Sequence, residues 1–439
     1  DSSAASDVYK RQLFGLTGTV LLLLLSGATI AGILFAPALV SVAAPGFGGA
    51  QRDLTVHLTR LVMPALLLLG LSALTVATLH AQKRFTLPAL SDASFRAGPL
   101  LFLLAVGNVI GMVVGVVLGA LGKLAIEAFG LHRHLRKVRP TLDLRFPPGR
   151  TVGRLAAPLL FGLTFSLFIG PLVENAFAST MDEGSVAGLA YARKIVETLA
   201  TILPYTLGVV LLPFSAGMAA AHDDEAMAKT LSGSVRGLTL IFLPATLGLM
   251  ILREPFVRLL LERGAFDAAS TQLTAWPLLF YAWALLPFAL EVVVVQFHFA
   301  RQDTLIPVIT DVTAFALNVA LILLLKPTLG LGGIALAAAI ARGLRVLALL
   351  AIFGWRVTAF RLKPLGPFLG QMALASAVTL AALLALRFLG EGLESGGMVH
   401  LVAYLVCGGV AGGGAFFITA YLLRVDEVRN LWRQFRHRF

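Results

Sequence analysis

Ala44-Pro45-Gly46-Phe47 and, far along the chain, Arg263-Gly264-Ala265-Phe266 read as two copies of one turn. The residues before them correspond as well: Leu34-Phe35-Ala36-Pro37-Ala38-Leu39-Val40 against Leu252-Arg253-Glu254-Pro255-Phe256-Val257. From the turn onward the copies keep step at an offset of 219, which carries Phe47 onto Phe266, Ala81 onto Ala300 and Pro88 onto Pro307. Each apolar stretch after the turn closes in a polar break, Ala81-Gln82-Lys83-Arg84 in one copy and Ala300-Arg301-Gln302-Asp303 in the other. A duplicated apolar helical bundle is a transporter's plan, with the substrate site between the halves.

Composition fixes the solvent of this bundle. Hydrophobic residues make up 58% of the chain and charged residues only 13%. Apolar runs of about 20 residues recur, each long enough to cross about 30 Å of hydrocarbon. They predict helices near 13–36, 56–80, 87–105, 108–130, 153–179, 184–216, 225–252, 269–299, 304–325, 331–354, 366–389 and 398–424. The fold class is therefore an all-α polytopic membrane protein, about 12 transmembrane helices in two pseudo-repeated lobes plus a C-terminal helix pair. A barrel is excluded, because its strands would show a period of two in short segments.

The formal net charge of +12 does not point to nucleic acid, because of where the basic residues lie. They cluster in alternate loops: Lys83 and Arg84, the stretch Arg133 to Arg150, Arg356 to Lys363, and Arg424 to Arg438. That is the positive-inside pattern. It places the 132–152 linker and the basic 425–439 tail in the cytoplasm and the Gly-Phe turns outside. Cys407 is the only cysteine, so no disulfide forms within the chain. No ligand spacing for a metal is visible.

Residues 1–12 are polar and join abruptly onto an apolar helix, so they read as a non-native prefix and are set aside. The lobes then fall at 13–131 and 153–355, with the helix pair at 365–424. Three helices precede the turn at Phe266, but only one precedes the turn at Phe47. On this count the first two helices of a fourteen-helix plan are missing from the N-terminal lobe.

Charges inside the spans are costly and mark polar cavities or paths. The densest group is Arg193, Lys194 and Glu197. Lys194 and Glu197 are three apart and share a helix face, with Arg193 about 100° away. Two cations with an orienting carboxylate suit an anionic headgroup; an internal ion pair fixing helix packing is the competing reading. Glu174, Asn318 and Asp311 are candidates for a coupling cation or proton. Arg60, Arg342 and Arg345 line a cavity or snorkel to the interface. Two glycine series, Gly107-Gly111-Gly115-Gly119 and Gly408-Gly412 with Gly409-Gly413, permit close helix approach. Prolines recur within the spans, Pro64, Pro171 and Pro287 among them, and permit kinks. His222-Asp223-Asp224-Glu225 reads as a helix N-cap with an acidic first turn. No catalytic constellation is present.

These motifs resemble those of the MurJ (MviN) lipid II flippases of the multidrug/oligosaccharidyl-lipid/polysaccharide exporter superfamily, over roughly residues 17–424. The resemblance rests on the two turn regions, Leu58-Thr59-Arg60 with Pro64, Leu172-Val173-Glu174, Glu183-Gly184-Ser185-Val186, Tyr191-Ala192, Leu211-Leu212-Pro213 and Phe299-Ala300-Arg301-Gln302-Asp303-Thr304. It implies fourteen helices in a monomer of the bacterial inner membrane. It also implies movement of an undecaprenyl-pyrophosphate-linked peptidoglycan precursor to the outer leaflet by alternating access. A sister exporter of other lipid-linked saccharides is the alternative. The family's arginine after Tyr-Ala-any corresponds to Lys194, its acid one turn later to Glu197, and its Leu-Val-Asp-Arg pair to Glu174 and Asn175. Some members bind sodium with that acid and an Asn-xxx-Asp pair; here the position four residues after Asn318 is Ile322. The resemblance implies no other cofactor, and leaves coupling to sodium, protons or the membrane potential open.

Overall fold

The computed structural model describes residues 2–132, 141–142, 169–360, 365–389 and 397–429. The 132–152 linker apart from residues 132 and 141–142, most of the helix expected at 153–179 and the end of the basic tail lie outside them. Packing divides the chain into two compact units, Asp1–Leu167 and Phe168–Phe439.

The first unit holds α1 (Ser2–Leu34), α2 (Ala36–Ala43), α3 (Gly49–Ala81), α4 (Thr86–Val106) and α5 (Val109–Gly130). Helix α1 begins within the segment set aside as a prefix. Helix α3 packs on α1 and α5, and α4 on α5. Short α2 was not expected, since the region reads as a turn. Pro37 explains it: a proline has no N–H for the carbonyl four residues back, so the ladder of α1 stops and a new helix starts. The orphaned acceptor is Ile33 O, and Arg60 Nε donates to it at 3.3 Å.

The second unit holds α6 (Gly170–Ser179), α7 (Ser185–Ala220), α8 (Asp224–Ile251), α9 (Arg253–Leu261), α10 (Ala268–Tyr281), α11 (Leu285–Ala300), α12 (Leu305–Leu329), α13 (Leu331–Arg356), α14 (Leu365–Leu389) and α15 (Met398–Leu422). Asp223 starts α8 as expected, accepting from Ala226 N–H at 2.9 Å. The core forms where a buried stripe of α7 (Leu189, Ala192, Val196, Ala200) meets Leu231 and Leu238 of α8 and Leu278, Leu285 and Val293 of α10 and α11. The last pair, α14 and α15, packs on α8 through Phe368, Met372 and Phe416 around Leu240.

The repeat survives in atomic detail. An offset of 219 carries the start of α3 onto that of α10, the end of α3 onto that of α11, and the start of α4 onto that of α12. The turn bond Phe47 N–H to Ala44 O (3.1 Å) recurs as Phe266 N–H to Arg263 O (3.2 Å). Both polar breaks end their helix the same way. Lys83 and Gln302 take positive φ (59° and 57°). The next residues, Arg84 and Asp303, donate their N–H back to Leu79 O and His298 O at 2.9 and 3.0 Å. This is the Schellman closure with a side chain where glycine is usual. The repeats part at one point. Where α3 continues through Pro64, the second copy breaks into a 3₁₀ turn, Ala282–Ala284. Pro287, in the first turn of α11, withholds the N–H that Trp283 O would accept. Pro171 sits in the first turn of α6 as described.

Ten helices among the described residues are long and apolar enough to cross a membrane. The two further expected spans are the partly undescribed 153–179 and α7, whose 36 residues carry Arg193, Lys194 and Glu197. Many large apolar side chains face outward, such as Leu104 (74% exposed) and Leu324 (69%). In water these would be liabilities; lipid accepts them.

The glycines need one correction. Gly107 is not on the α5 ladder but closes α4 in a left-handed conformation, φ 72°. Gly115 and Gly119 do the packing: a Cβ on Gly115 would lie 2.5 Å from Gly98 O and 2.8 Å from Pro99 Cα. Such backbone contact admits no side chain. On α15, Gly408 and Gly412 press on Leu252 and Leu383, whereas Gly409 and Gly413 meet nothing within 4 Å. Gly115→Val is therefore expected to cost about 1–3 kcal/mol by overpacking. Gly409→Ala is expected to be neutral to within about 0.5 kcal/mol. Thermal unfolding of the two variants in detergent checks the contrast.

Candidate functional site

Three charged clusters lie within the spans, and the second unit holds two. The first gathers Glu174 of α6, Arg193 and Glu197 of α7, Tyr281 of α10 and Asn318 of α12. Glu174 is only 6% exposed. Its carboxylate accepts from Tyr281 Oη at 2.6 Å, Arg193 Nη1 at 3.1 Å and Asn318 Nδ2 at 3.4 Å. Helix α7 presents Arg193 here because Ala192 and Val196 turn into the core and set the neighbouring face against α6. Glu197, one turn on, lies 3.9 Å from Arg193 Nε. Glu197, expected to share a face with Lys194, lies instead against Arg193. The i,i+4 spacing and the guanidinium's reach favour this contact.

Lys194 is left on the exposed face of α7 with Tyr191 and Thr198. Its ammonium has no ion-pair or hydrogen-bond partner among the described residues. Five residues on, and about 140° round the same helix at 3.6 residues per turn, Leu199 lines a groove of about 350 Å³ walled by Gly248 of α8, Leu252 at the α8–α9 junction, Phe256 of α9, and Val406 and Gly409 of α15. The unpacked face of α15 noted above is this groove's wall. At 1.5 Å rise per residue, Leu199 lies about 7.5 Å along α7 from Lys194.

The second cluster ties α13 to α11 and α12. Arg345, with its side chain 10% exposed, meets Glu291 at 2.5 Å and Asp311 at 2.6 Å. Arg342 meets Glu291 at 3.2 Å and lies over the Phe288 ring at 4.2 Å. Asp311 therefore sits with Arg345, whereas Asn318, two turns further along α12, joins Glu174. Arg60 belongs to neither cluster, since it caps the α1–α2 break.

The third cluster, in the first unit, went unnoticed in the sequence. Glu127 of α5 is fully buried and accepts from Thr75 Oγ1 of α3 and Ser91 Oγ of α4, each at 2.6 Å. Lys123 lies 3.3 Å from Glu127 and also pairs with Asp92 of α4. The signal was present: Lys123 and Glu127 are four apart in an apolar run, and Asp92 advanced by 219 is Asp311. Both repeats thus pair the same aspartate with a cation on the following helix, Lys123 in one and Arg345 in the other. These two clusters clamp helices; the Glu174 cluster and Lys194 remain as the site.

Comparison with known proteins agrees with this architecture. Residues 3–406 match the family model described as Lipid II flippase MurJ. A probable lipid II flippase MurJ of Rhizobium meliloti is 30% identical over 93% of this chain and 78% of its own length. Its counterpart in Bdellovibrio bacteriovorus is 26% identical over 94% and 80%. Among solved structures, a lipid II flippase MurJ in an inward closed conformation superposes with a TM-score of 0.77 over 97% of this chain and 88% of that one, at 19% identity. A MATE transporter of Vibrio cholerae shares the fold more distantly, with a TM-score of 0.58 at 13% identity over 81% of each chain. With the family model spanning nearly all of its described helices, this polytopic membrane protein belongs to the MurJ lipid II flippase family.

Proposed function

We propose that the chain moves an undecaprenyl-pyrophosphate-linked saccharide-peptide, lipid II, from the inner to the outer leaflet of the bacterial cytoplasmic membrane. It does so as a transporter and not as an enzyme. The observation that carries this reading is the pairing of an unneutralised cation with an apolar groove on one helix of the second unit. Among the described residues Lys194 has no counter-ion, which leaves its charge for a substrate phosphate. The groove beginning at Leu199 is lined by hydrocarbon and suits a polyprenyl tail. One helix, α7, thus carries both a cation for the headgroup and a side chain lining the hydrocarbon groove, on faces about 140° apart.

Arg193 takes a different part from the one its charge alone implies. Committed to Glu174 and Glu197, it fixes the orientation of α7 and leaves substrate contact to Lys194. Membrane lipids are the remaining partners in this reading, and nucleic acid is not one. A bacterium depleted of its own lipid II flippase is expected to regain growth when it expresses the gene for this chain. Failure of a well-expressed, membrane-inserted product to do so would favour export of another lipid-linked saccharide.

A further inference from the structure

In the family resembled, some members bind sodium at the positions of Glu174 and Asn318, with an acid one turn beyond Asn318. The residues present do not fit it. A sodium ion needs a shell of oxygen acceptors. Around Glu174 the structure instead places donors: the guanidinium of Arg193 at 3.1 Å, the hydroxyl of Tyr281 at 2.6 Å and the amide of Asn318 at 3.4 Å. The acid's position is Ile322, which is fully buried in the hydrocarbon core. Among the described residues of α6, α7, α10 and α12, the buried oxygens without a partner are Asn318 Oδ1, Asn175 Oδ1 and Thr274 Oγ1, all neutral, so none replaces the charge that Arg193 brings to Glu174.

We infer that Arg193 is the resident cation of this site, so that Glu174 is neutralised by a charge tethered to α7 and sodium does not bind there. Tethering gives the guanidinium a fixed position beside the carboxylate, whereas a free ion must first be captured and dehydrated. The site then holds α6, α7, α10 and α12 together whatever the ionic composition on either side of the membrane. What an external ion would do on arrival, Arg193 does permanently. This inference rests on the geometry around Glu174 and not on the transport reading, and it stands or falls separately.

The test is thermal unfolding of the full chain in detergent, with sodium chloride set against choline chloride at equal ionic strength. Wild type is expected to unfold at the same temperature in both. The double variant Arg193→Gln with Ile322→Asp removes the tethered cation and supplies the missing acid. It is expected to gain a sodium-specific rise that grows with concentration, as ligand linkage requires. A sodium-specific rise in wild type that vanishes in Glu174→Gln would overturn the inference. So would a folded double variant that stays indifferent to sodium, since Arg193 would then not be what excludes the ion. If the double variant does not fold, radioactive sodium binding to wild type and Glu174→Gln decides: equal binding supports the inference, and binding lost with Glu174 refutes it.

Discussion

Arg193→Leu is expected to lower stability by about 3–5 kcal/mol, the largest single loss at this site, because it strands the Glu174 charge in the interior. Glu174 is 6% exposed, and its remaining donors, Tyr281 and Asn318, are neutral. Glu174→Leu is expected to cost a similar amount by stranding Arg193, eased a little by Glu197 at 3.9 Å. Removing both charges together is the informative variant. A buried ion pair replaced by hydrocarbon is often close to neutral, since the desolvation cost disappears along with the attraction. The double variant Glu174→Leu with Arg193→Leu should therefore be more stable than either single one. Denaturation curves that put the double variant at the sum of the singles would show that the two residues act independently, contrary to the geometry.

Lys194→Ala is expected to weaken binding of a pyrophosphate-bearing lipid roughly 30-fold or more, since losing one partner of a desolvated charge pair costs about 2 kcal/mol or above. Stability should barely change, because the Lys194 ammonium is exposed and supports no neighbour. Lys194→Arg is expected to bind equally or more tightly, because the guanidinium's planar fork matches a phosphate's paired oxygens. The two predictions separate the adjacent cations: Arg193 acts on folding and Lys194 on ligand. Titrating purified wild type and both variants with a fluorescent polyprenyl pyrophosphate reads the second prediction directly.

How far the fold was legible follows from what each signal depends on. The repeat depends only on spacing, so Phe47 and Phe266 exposed it, and the structure returns the same offset in helix ends and turn bonds. Helices α2 and α9 were missed because eight or nine residues are too few to separate a helix from a turn by periodicity. Pro37 and Pro255 marked both places all the same. The 3₁₀ break at Ala282–Ala284 was masked by continuous hydrophobicity across it, although Pro287 stood one turn later.

The site was legible in composition but not in pairing. Glu174, Arg193, Lys194, Glu197 and Asn318 stood out as candidates by charge or polarity inside apolar runs. Which of them meet depends on how α6, α7, α10 and α12 pack, and no local rule contains that. Tyr281 escaped notice for the same reason, being an ordinary core aromatic until Glu174 is placed beside its hydroxyl. Glu127 escaped for a different one: it was a single acid near a helix end, and its partners Thr75 and Ser91 come from two other helices.

The central claim is that Lys194, unpaired among the described residues and carried on the helix that also lines an apolar groove, lets this family member carry a lipid-linked pyrophosphate. Its most direct test is the leaflet distribution of labelled lipid II in vesicles containing the purified protein, for wild type, Lys194→Arg and Lys194→Ala side by side. The account predicts translocation above protein-free vesicles for the first two and its loss in the third. Translocation by Lys194→Ala at the wild-type rate would contradict it.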